Sequence, residues 1–159
     1  MTTTTTPLRG QILTFVLAGE EYAVDILRVR EIIRYTTPTR VPGMPAAVRG
    51  LINLRGRVVP VIDLSVRFGF PDSVITERTS IVMVETTSQD GEVVIGIITD
   101  AVTAVLELNE DQVQPTPSFG TKVGAEFLEG MADKGDQKFV MLLNIDRVLG
   151  AGALEPASA

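Results

Sequence analysis

Short apolar runs of strand length recur along the chain, and turn residues separate them. Most alternate apolar and polar positions or stop at Gly, Pro or Asn, which is the pattern of strands and not of long helices. The runs lie at 11–17, 22–24, 50–54, 57–64, 80–86, 92–98, 102–107, 127–132 and 137–143. Many short strands in one small chain predict a barrel or sandwich. We therefore expect a mainly β fold of two packed lobes with about five strands each, plus short helices.

One of these apolar segments is "GLINLRGRVVPVIDL", which indicates a hairpin with its tip at Arg55-Gly56. Gly56 supplies the positive φ that a tight turn needs, and we expect Gly50 and Asn53 to be turn residues of the same hairpin. Pro60 cannot donate to a ladder, so its strand is predicted to be an edge or to bulge there. The charged tip, Arg55, is either a solvated turn residue or a guanidinium presented to a partner.

Two short helices are expected. Asp25 is a candidate N-cap for a helix reaching residue 35, because Ile26, Val29 and Ile33 have the i, i+3, i+7 spacing of an apolar stripe. On that spacing Val29 is more often a core residue than a contact residue. Glu31 would by default be a solvated acid beside Arg34. The segment "NIDRVLG" predicts a helical turn near the C-terminus.

Composition excludes most catalytic chemistry. The 159 residues include no His and no Cys. Their absence rules out His-dependent and Cys-dependent nucleophilic sites, Cys/His zinc sites and disulfides. Neither a Walker A loop nor a G-x-G-x-x-G fingerprint is present. We predict a protein that is not an enzyme and has neither a cofactor nor a metal.

Charge is unevenly distributed around a net −6. Residues 28–78 contain nine Arg and four acids, whereas residues 79–159 contain four basic residues and thirteen acids. The simplest interpretation is a solvated basic face. The alternatives are two surfaces for two protein partners, or a small barrel that binds nucleic acid, although aromatic residues are few.

The ends of the chain and its location can also be predicted. No apolar run approaches the ~18 residues of a membrane-spanning helix, and "MTTTTTPLRG" lacks the apolar centre of a signal peptide. We expect residues 1–10 to be a disordered leader, residues 150–159 to be a flexible tail, and the protein to be cytoplasmic.

Four segments in order resemble the CheW family of chemotaxis coupling proteins. They are "FVLAGEEYAVDILRVREII", "VRGLINLRGRVVPVIDL", "VVIGIITDAVTAVL" and "FLEGMADKGDQKFVMLLNIDRVL". The resemblance covers residues 11–149 and implies two SH3-like barrels. The first lobe is expected at about 11–70, with a closing contribution from the C-terminal segment, and the second at about 79–143. It also implies a non-catalytic adaptor that bridges the cytoplasmic tips of chemoreceptors to the histidine kinase CheA, or serves a non-chemotaxis array of the same kind.

The resemblance also implies roles for individual residues. It places Arg55 and Glu31 in the receptor-binding region, with apolar groove residues beside them. These groove residues are Val29, Ile32, Val102 and Val105. Kinase-binding residues are expected in the Pro-rich loop, at Gln114, Ser118 and Phe119. Ser80 and Gln114 depart from the family pattern, since an apolar and a basic residue are often found at those positions.

Overall fold

The computed structural model describes residues 10–88, 91–115, 127–135 and 138–149. In this part of the chain, eleven strands form two sheets. In chain order the strands are β1 (Gly10–Leu17), β2 (Glu20–Asp25), β3 (Val29–Arg34), β4 (Val48–Leu54), β5 (Arg57–Asp63), β6 (Ser80–Ser88), β7 (Gly91–Thr99), β8 (Ala101–Leu108), β9 (Val113–Gln114), β10 (Leu128–Asp133) and β11 (Phe139–Leu143). The helices are short: 3₁₀ turns at Ile26–Arg28 and Glu110–Gln112, α1 (Leu64–Arg67) and α2 (Ile145–Val148).

The two sheets do not follow the two halves of the sequence. One sheet has the order β8-β1-β2-β11-β10-β9, and the other has the order β3-β6-β7-β5-β4. We call them the six-stranded lobe and the five-stranded lobe. The division at 11–70 and 79–143 is therefore wrong, because β1 and β2 pair with strands of the second half while β6 and β7 pair with strands of the first. The first half of the sequence contributes β1 and β2 to the six-stranded lobe, and the second half contributes β6 and β7 to the five-stranded lobe. The chain therefore passes between the two lobes several times.

Three apolar clusters fill the molecule, and the alternation along each strand explains them. On β6, Ile81 and Met83 face a small core inside the five-stranded lobe, whereas Val82 and Val84 face a large core shared by both lobes. On β1, Ile12 faces a core inside the six-stranded lobe, and its neighbour Leu13 faces the shared core. Strands buried on both faces account for the nearly continuous apolar runs of the sequence.

The helix expected over residues 25–35 is wrong beyond its first turn. Asp25 caps as expected, since its Oδ1 accepts a hydrogen bond of 3.0 Å from the Leu27 N–H. The chain then continues as strand β3, which is rich in β-branched residues and pairs antiparallel with β6. A bulge lies between Val29 and Glu31. The bulge shifts by one residue the alternation of side chains between the two faces of the strand. Val29 and Ile33 therefore have the spacing of a helical stripe although the segment is a strand.

Pro60 lies at a position of β5 where a missing backbone N–H is tolerated. Pro60 pairs with Leu51 of β4, and the parallel pairing of β5 with β7 begins only at Val61. β5 lies between β4 and β7, so the prediction of an edge strand is wrong; Pro60 comes one residue before the pairing with β7 begins, where its missing N–H interrupts no bond to that strand. The predicted fold class is confirmed: the described chain is mainly β, with two SH3-like lobes and short helices, although one lobe has six strands and not five.

Candidate functional site

The tip of the β4–β5 hairpin holds a non-glycine residue in the left-handed region. Arg55 has φ 53° and Gly56 has φ 82°, and two positive φ angles in a two-residue loop are those of a type I′ turn. Gly adopts this conformation freely, whereas a residue with a Cβ is held there at a cost of roughly 1–2 kcal/mol. Asn53 closes the turn, because its Oδ1 accepts a hydrogen bond of 2.9 Å from the Gly56 N–H.

Glu31 reaches the same region from the opposite edge of the sheet. The bulge in β3 pairs Glu31 with Met83, whose side chain faces the core inside the five-stranded lobe. Glu31 therefore points toward the mouth of that lobe and is partly buried. Without the bulge, the alternation set by Val29 and Val84 would place it on the other face.

A bidentate ion pair joins these two residues. Arg55 Nη1 lies 2.5 Å from Glu31 Oε1, and Arg55 Nη2 lies 2.8 Å from Glu31 Oε2. Because β3 and β4 are the two edges of the five-stranded sheet, the pair spans the opening between them. An isolated bridge joins Leu51 of β4 to Thr39 in the segment that follows β3, with hydrogen bonds of 2.8 Å in both directions. That segment thus lies against the β4 edge, and the ion pair spans the opening between β3 and the hairpin, which we call the mouth of the lobe.

The pairing shifts the pKa of both groups in the direction that favours their charged forms. The hydrogen bond from Arg55 lowers the pKa of Glu31, and the same bond raises the pKa of Arg55. The Arg55 side chain is 73% exposed, so solvent screens the interaction and its contribution to folding is small. Both groups remain charged and able to accept further hydrogen bonds from a partner or donate them to it.

An open groove of about 500 Å³ lies beneath this pair. We call it the hairpin groove, and its lining combines apolar side chains with three guanidinium groups. The lining residues are Val29, Arg30, Glu31, Leu54, Arg55, Arg57, Val59, Met83 and Val94. An apolar surface with charged groups fixed at its rim is the arrangement that a protein interface uses for an apolar anchor and an oriented polar contact.

The four predicted apolar contact residues divide into two pairs. Val29 and Val102 are partly buried and pack against the shared core. Ile32 is 43% exposed and Val105 is 49% exposed. Their strand partners, Val82 and Leu13, both belong to the shared core. Ile32 and Val105 therefore lie on the shared-core face of their own sheets, on the edge strands β3 and β8, where that face is left open.

The three predicted turn residues have different roles. Asn53 and Gly56 belong to the turn, but Gly50 does not: it lies inside β4, next to a bulge between Val48 and Gly50. Its φ is 145°, and a Cβ there would lie 2.2 Å from the Thr39 carbonyl oxygen. Gly50 is thus required by the close approach of the segment that follows β3, a constraint that no local turn pattern signals.

The predicted kinase-binding residues are only partly described. Gln114 ends the two-residue strand β9, which pairs with β10, and its side chain is exposed. Ser118 and Phe119 lie outside the described residues. Ser80, the other departure from the family pattern, begins β6 and is partly buried opposite Arg34.

Sequence reasoning missed a second arginine–carboxylate pair. Arg28 Nη2 donates to Asp146 Oδ2 at 2.7 Å, and Arg28 Nη1 donates to Asp146 Oδ1 at 3.2 Å and to the Glu85 carbonyl at 3.1 Å. Asp146 Oδ1 also accepts hydrogen bonds from the Thr86 hydroxyl at 2.7 Å and the Thr87 N–H at 3.2 Å. We call this set of residues the interlobe junction, because it joins the turn before β3, strand β6 and helix α2.

Comparisons with known proteins identify the family of this chain. A model of the CheW-like domain family matches residues 11–152. The chemotaxis protein CheW of Klebsiella aerogenes is 36% identical over 141 residues, covering 89% of this chain and 82% of that protein. CheW of Rhizobium meliloti is 33% identical over 148 residues, covering 92% of each. The protein FrzA of Myxococcus xanthus is 30% identical over 122 residues, which is 76% of this chain and 73% of FrzA.

A solved structure gives the same result. The crystal structure of the scaffolding protein TtCheW from Thermoanaerobacter tengcongensis superimposes with a TM-score of 0.79, at 33% identity and 94% coverage of both chains. Across the described ranges, no helix has the length and apolar content needed to cross a bilayer. The chain belongs to the CheW-like family, whose members are non-catalytic scaffold proteins of chemotaxis.

Proposed function

We propose that this protein couples chemoreceptors to the histidine kinase CheA, and that the mouth of the five-stranded lobe binds the receptor. The observation that carries the proposal is the Glu31–Arg55 pair, which holds a guanidinium and a carboxylate in fixed positions above an apolar groove. A receptor tip is a helical hairpin, and a helix binds by placing its apolar stripe in such a groove.

The conformation of Arg55 supports a binding role over a solvated turn. A type I′ turn is most stable with Asn or Gly at this position, yet the chain places a long cationic side chain there at φ 53°. Backbone strain of this kind is typical of functional sites, where it is maintained for a purpose other than stability. Because the Arg55 side chain is so exposed, its ion pair with Glu31 stabilises the fold only slightly and does not offset the backbone strain.

The apolar part of the receptor surface extends to the edge of the shared core. Val29 lines the hairpin groove and also packs against that core, so it connects the groove to the boundary between the lobes. Ile32 and Val105 present apolar surface on edge strands, where a partner helix can cover it. We assign these residues and Val102 to receptor binding.

The kinase is assigned to a different face. The regulatory domain of CheA is itself CheW-like, so we expect it to dock lobe to lobe, through strand ends and through Gln114, Ser118 and Phe119. Contacts between two distinct ends of similar modules can close into rings. The protein is then a cytoplasmic component of receptor arrays, recruited to the membrane through its partners.

Calorimetry with purified receptor fragment and purified kinase regulatory domain tests this assignment. Glu31→Lys is expected to impair receptor binding and spare kinase binding, whereas Phe119→Ala is expected to do the reverse. Each variant is the control for the other, and circular dichroism confirms that both are folded. Loss of both interactions in either folded variant would show that the partners do not use separate faces.

A further inference from the structure

We propose that Arg57 is a specificity-determining residue of the hairpin groove, where its guanidinium binds a carboxylate on the receptor helix. This inference rests on the proposed receptor-binding function and adds the chemistry of the partner. It follows from how the charges in the groove are matched.

Arg57 lies beside the turn on the groove side of the hairpin. It is the first residue of β5 and pairs with Leu54 of β4 across the turn. Because side chains alternate along a strand, Arg57 shares a face with Val59, which lines the groove and belongs to the core inside the lobe. The exposed Arg57 side chain therefore stands at the rim of the groove, above an apolar floor.

Three guanidinium groups line the groove, and acids match two of them. Arg55 is held by Glu31, and Arg30 Nη1 lies 3.7 Å from Glu85 Oε2. Arg57 forms no side-chain hydrogen bond or ion pair with any described residue. The groove therefore carries one unmatched positive charge, on a protein whose net charge is −6.

An unmatched Arg at the rim of an apolar groove is complementary to an amphipathic helix with an acid flanking its apolar stripe. The planar guanidinium donates two parallel hydrogen bonds to a carboxylate, so it fixes the position of the acid as well as its charge. The adjacent Arg55 cannot take this role without leaving Glu31. Arg57 thus selects receptors by the presence and position of one carboxylate.

Charge reversal at Arg57 with a matched control tests the inference. The measurement is the Kd for a purified cytoplasmic chemoreceptor fragment from the same organism, at two salt concentrations. Arg57→Glu is expected to weaken binding about tenfold or more at low salt, and Arg57→Gln to weaken it less. Arg78→Glu, which changes the net charge equally at an exposed position outside the groove lining, is expected to bind as the wild type does. Melting curves verify the folding of all three variants.

A charge swap identifies the partner acid. Each acidic residue of the receptor hairpin tip is replaced by Lys, and one of these replacements is expected to restore binding to Arg57→Glu while weakening the wild type. Wild-type affinity in Arg57→Glu, an equal loss in Arg78→Glu, or no restoring replacement would overturn the inference and leave receptor binding standing. A wild-type protein that does not bind the fragment overturns the proposed function together with it.

Discussion

Two arginine–carboxylate pairs of the same bidentate geometry lie in different parts of this molecule. Glu31–Arg55 crosses the mouth of the five-stranded lobe, and the Arg55 side chain is 73% exposed. Arg28–Asp146 lies at the interlobe junction, where the two side chains are 35% and 40% exposed. Asp146 accepts two further hydrogen bonds there, from Thr86 and Thr87, whereas Arg55 is the one described residue that donates a hydrogen bond to Glu31.

From this difference we infer that the pair at the mouth binds a partner, whereas the pair at the interlobe junction stabilises the fold. The interlobe junction connects the turn between β2 and β3, strand β6 and helix α2, and its donors are satisfied within the protein. The pair at the mouth is held at a strained turn, and it leaves polar groups available to a partner. The two pairs share their ion-pair geometry and differ in the number of additional partners and in the exposure of the arginine, which is 73% for Arg55 and 35% for Arg28.

The largest expected effect on stability is at the interlobe junction. Asp146→Ala removes the acceptor for Arg28, Thr86 and Thr87, so the free energy of unfolding is expected to fall by about 2 kcal/mol. Glu31→Ala removes a solvent-screened pair and is expected to change it by less than ~0.5 kcal/mol. Urea unfolding of both variants measures the difference. Equal losses would mean that both pairs are structural.

The backbone at Arg55 gives the second expected effect. Arg55→Gly should be more stable than Arg55→Ala by about 1 kcal/mol, because only Gly adopts φ 53° without a steric cost. Arg28, in a 3₁₀ turn, is the matched control: Arg28→Gly should be no more stable than Arg28→Ala. If Ala were the more stable residue at both positions, Arg55 would not be strained.

The smallest expected effect is a change in folding stability at acidic pH. Burial opposes ionisation of Asp146, but hydrogen bonds from Arg28 and Thr86 outweigh it and lower its pKa below the ordinary 3.8. A carboxyl group with a lowered pKa stabilises the fold above its ordinary pKa, and this contribution is lost as the pH falls through the folded value. As the pH is lowered below 3.8, the stability of Asp146→Asn should therefore decrease less than that of the wild type. Solvent exposure limits the difference to less than about 1 kcal/mol. Thermal melts at pH 5 and pH 3 measure it, and parallel curves would contradict it.

Much of the fold could be predicted from local patterns. The strands of the hairpin, the Asp25 cap and the C-terminal turn all depend on short-range chemistry. The exchange of strands between lobes could not be predicted, because it depends on pairing between residues far apart in the sequence. The error at residues 29–34 has a local cause: a bulge changes the side-chain alternation, and no residue there marks it.

The site was predictable in part for the same reason. Glu31 and Arg55 could be singled out separately, but their pairing depends on the arrangement of a whole sheet. Arg28 and Asp146 are 118 positions apart, and no spacing rule connects them. Gly50 is predicted as a turn residue but lies inside β4, and the neighbour that constrains it, Thr39, belongs to another segment.

The central claim is that the pair at the mouth contributes to binding and the interlobe junction to stability. Arg55→Ala and Arg28→Ala, measured side by side for receptor-fragment Kd and unfolding free energy, test it most directly. Arg55→Ala is expected to lose about 2 kcal/mol of binding free energy while its stability stays within ~0.5 kcal/mol of the wild type. Arg28→Ala is expected to lose stability and, under conditions where it is fully folded, to bind as the wild type does. Wild-type affinity in folded Arg55→Ala, or an equal loss of affinity in folded Arg28→Ala, would contradict the account.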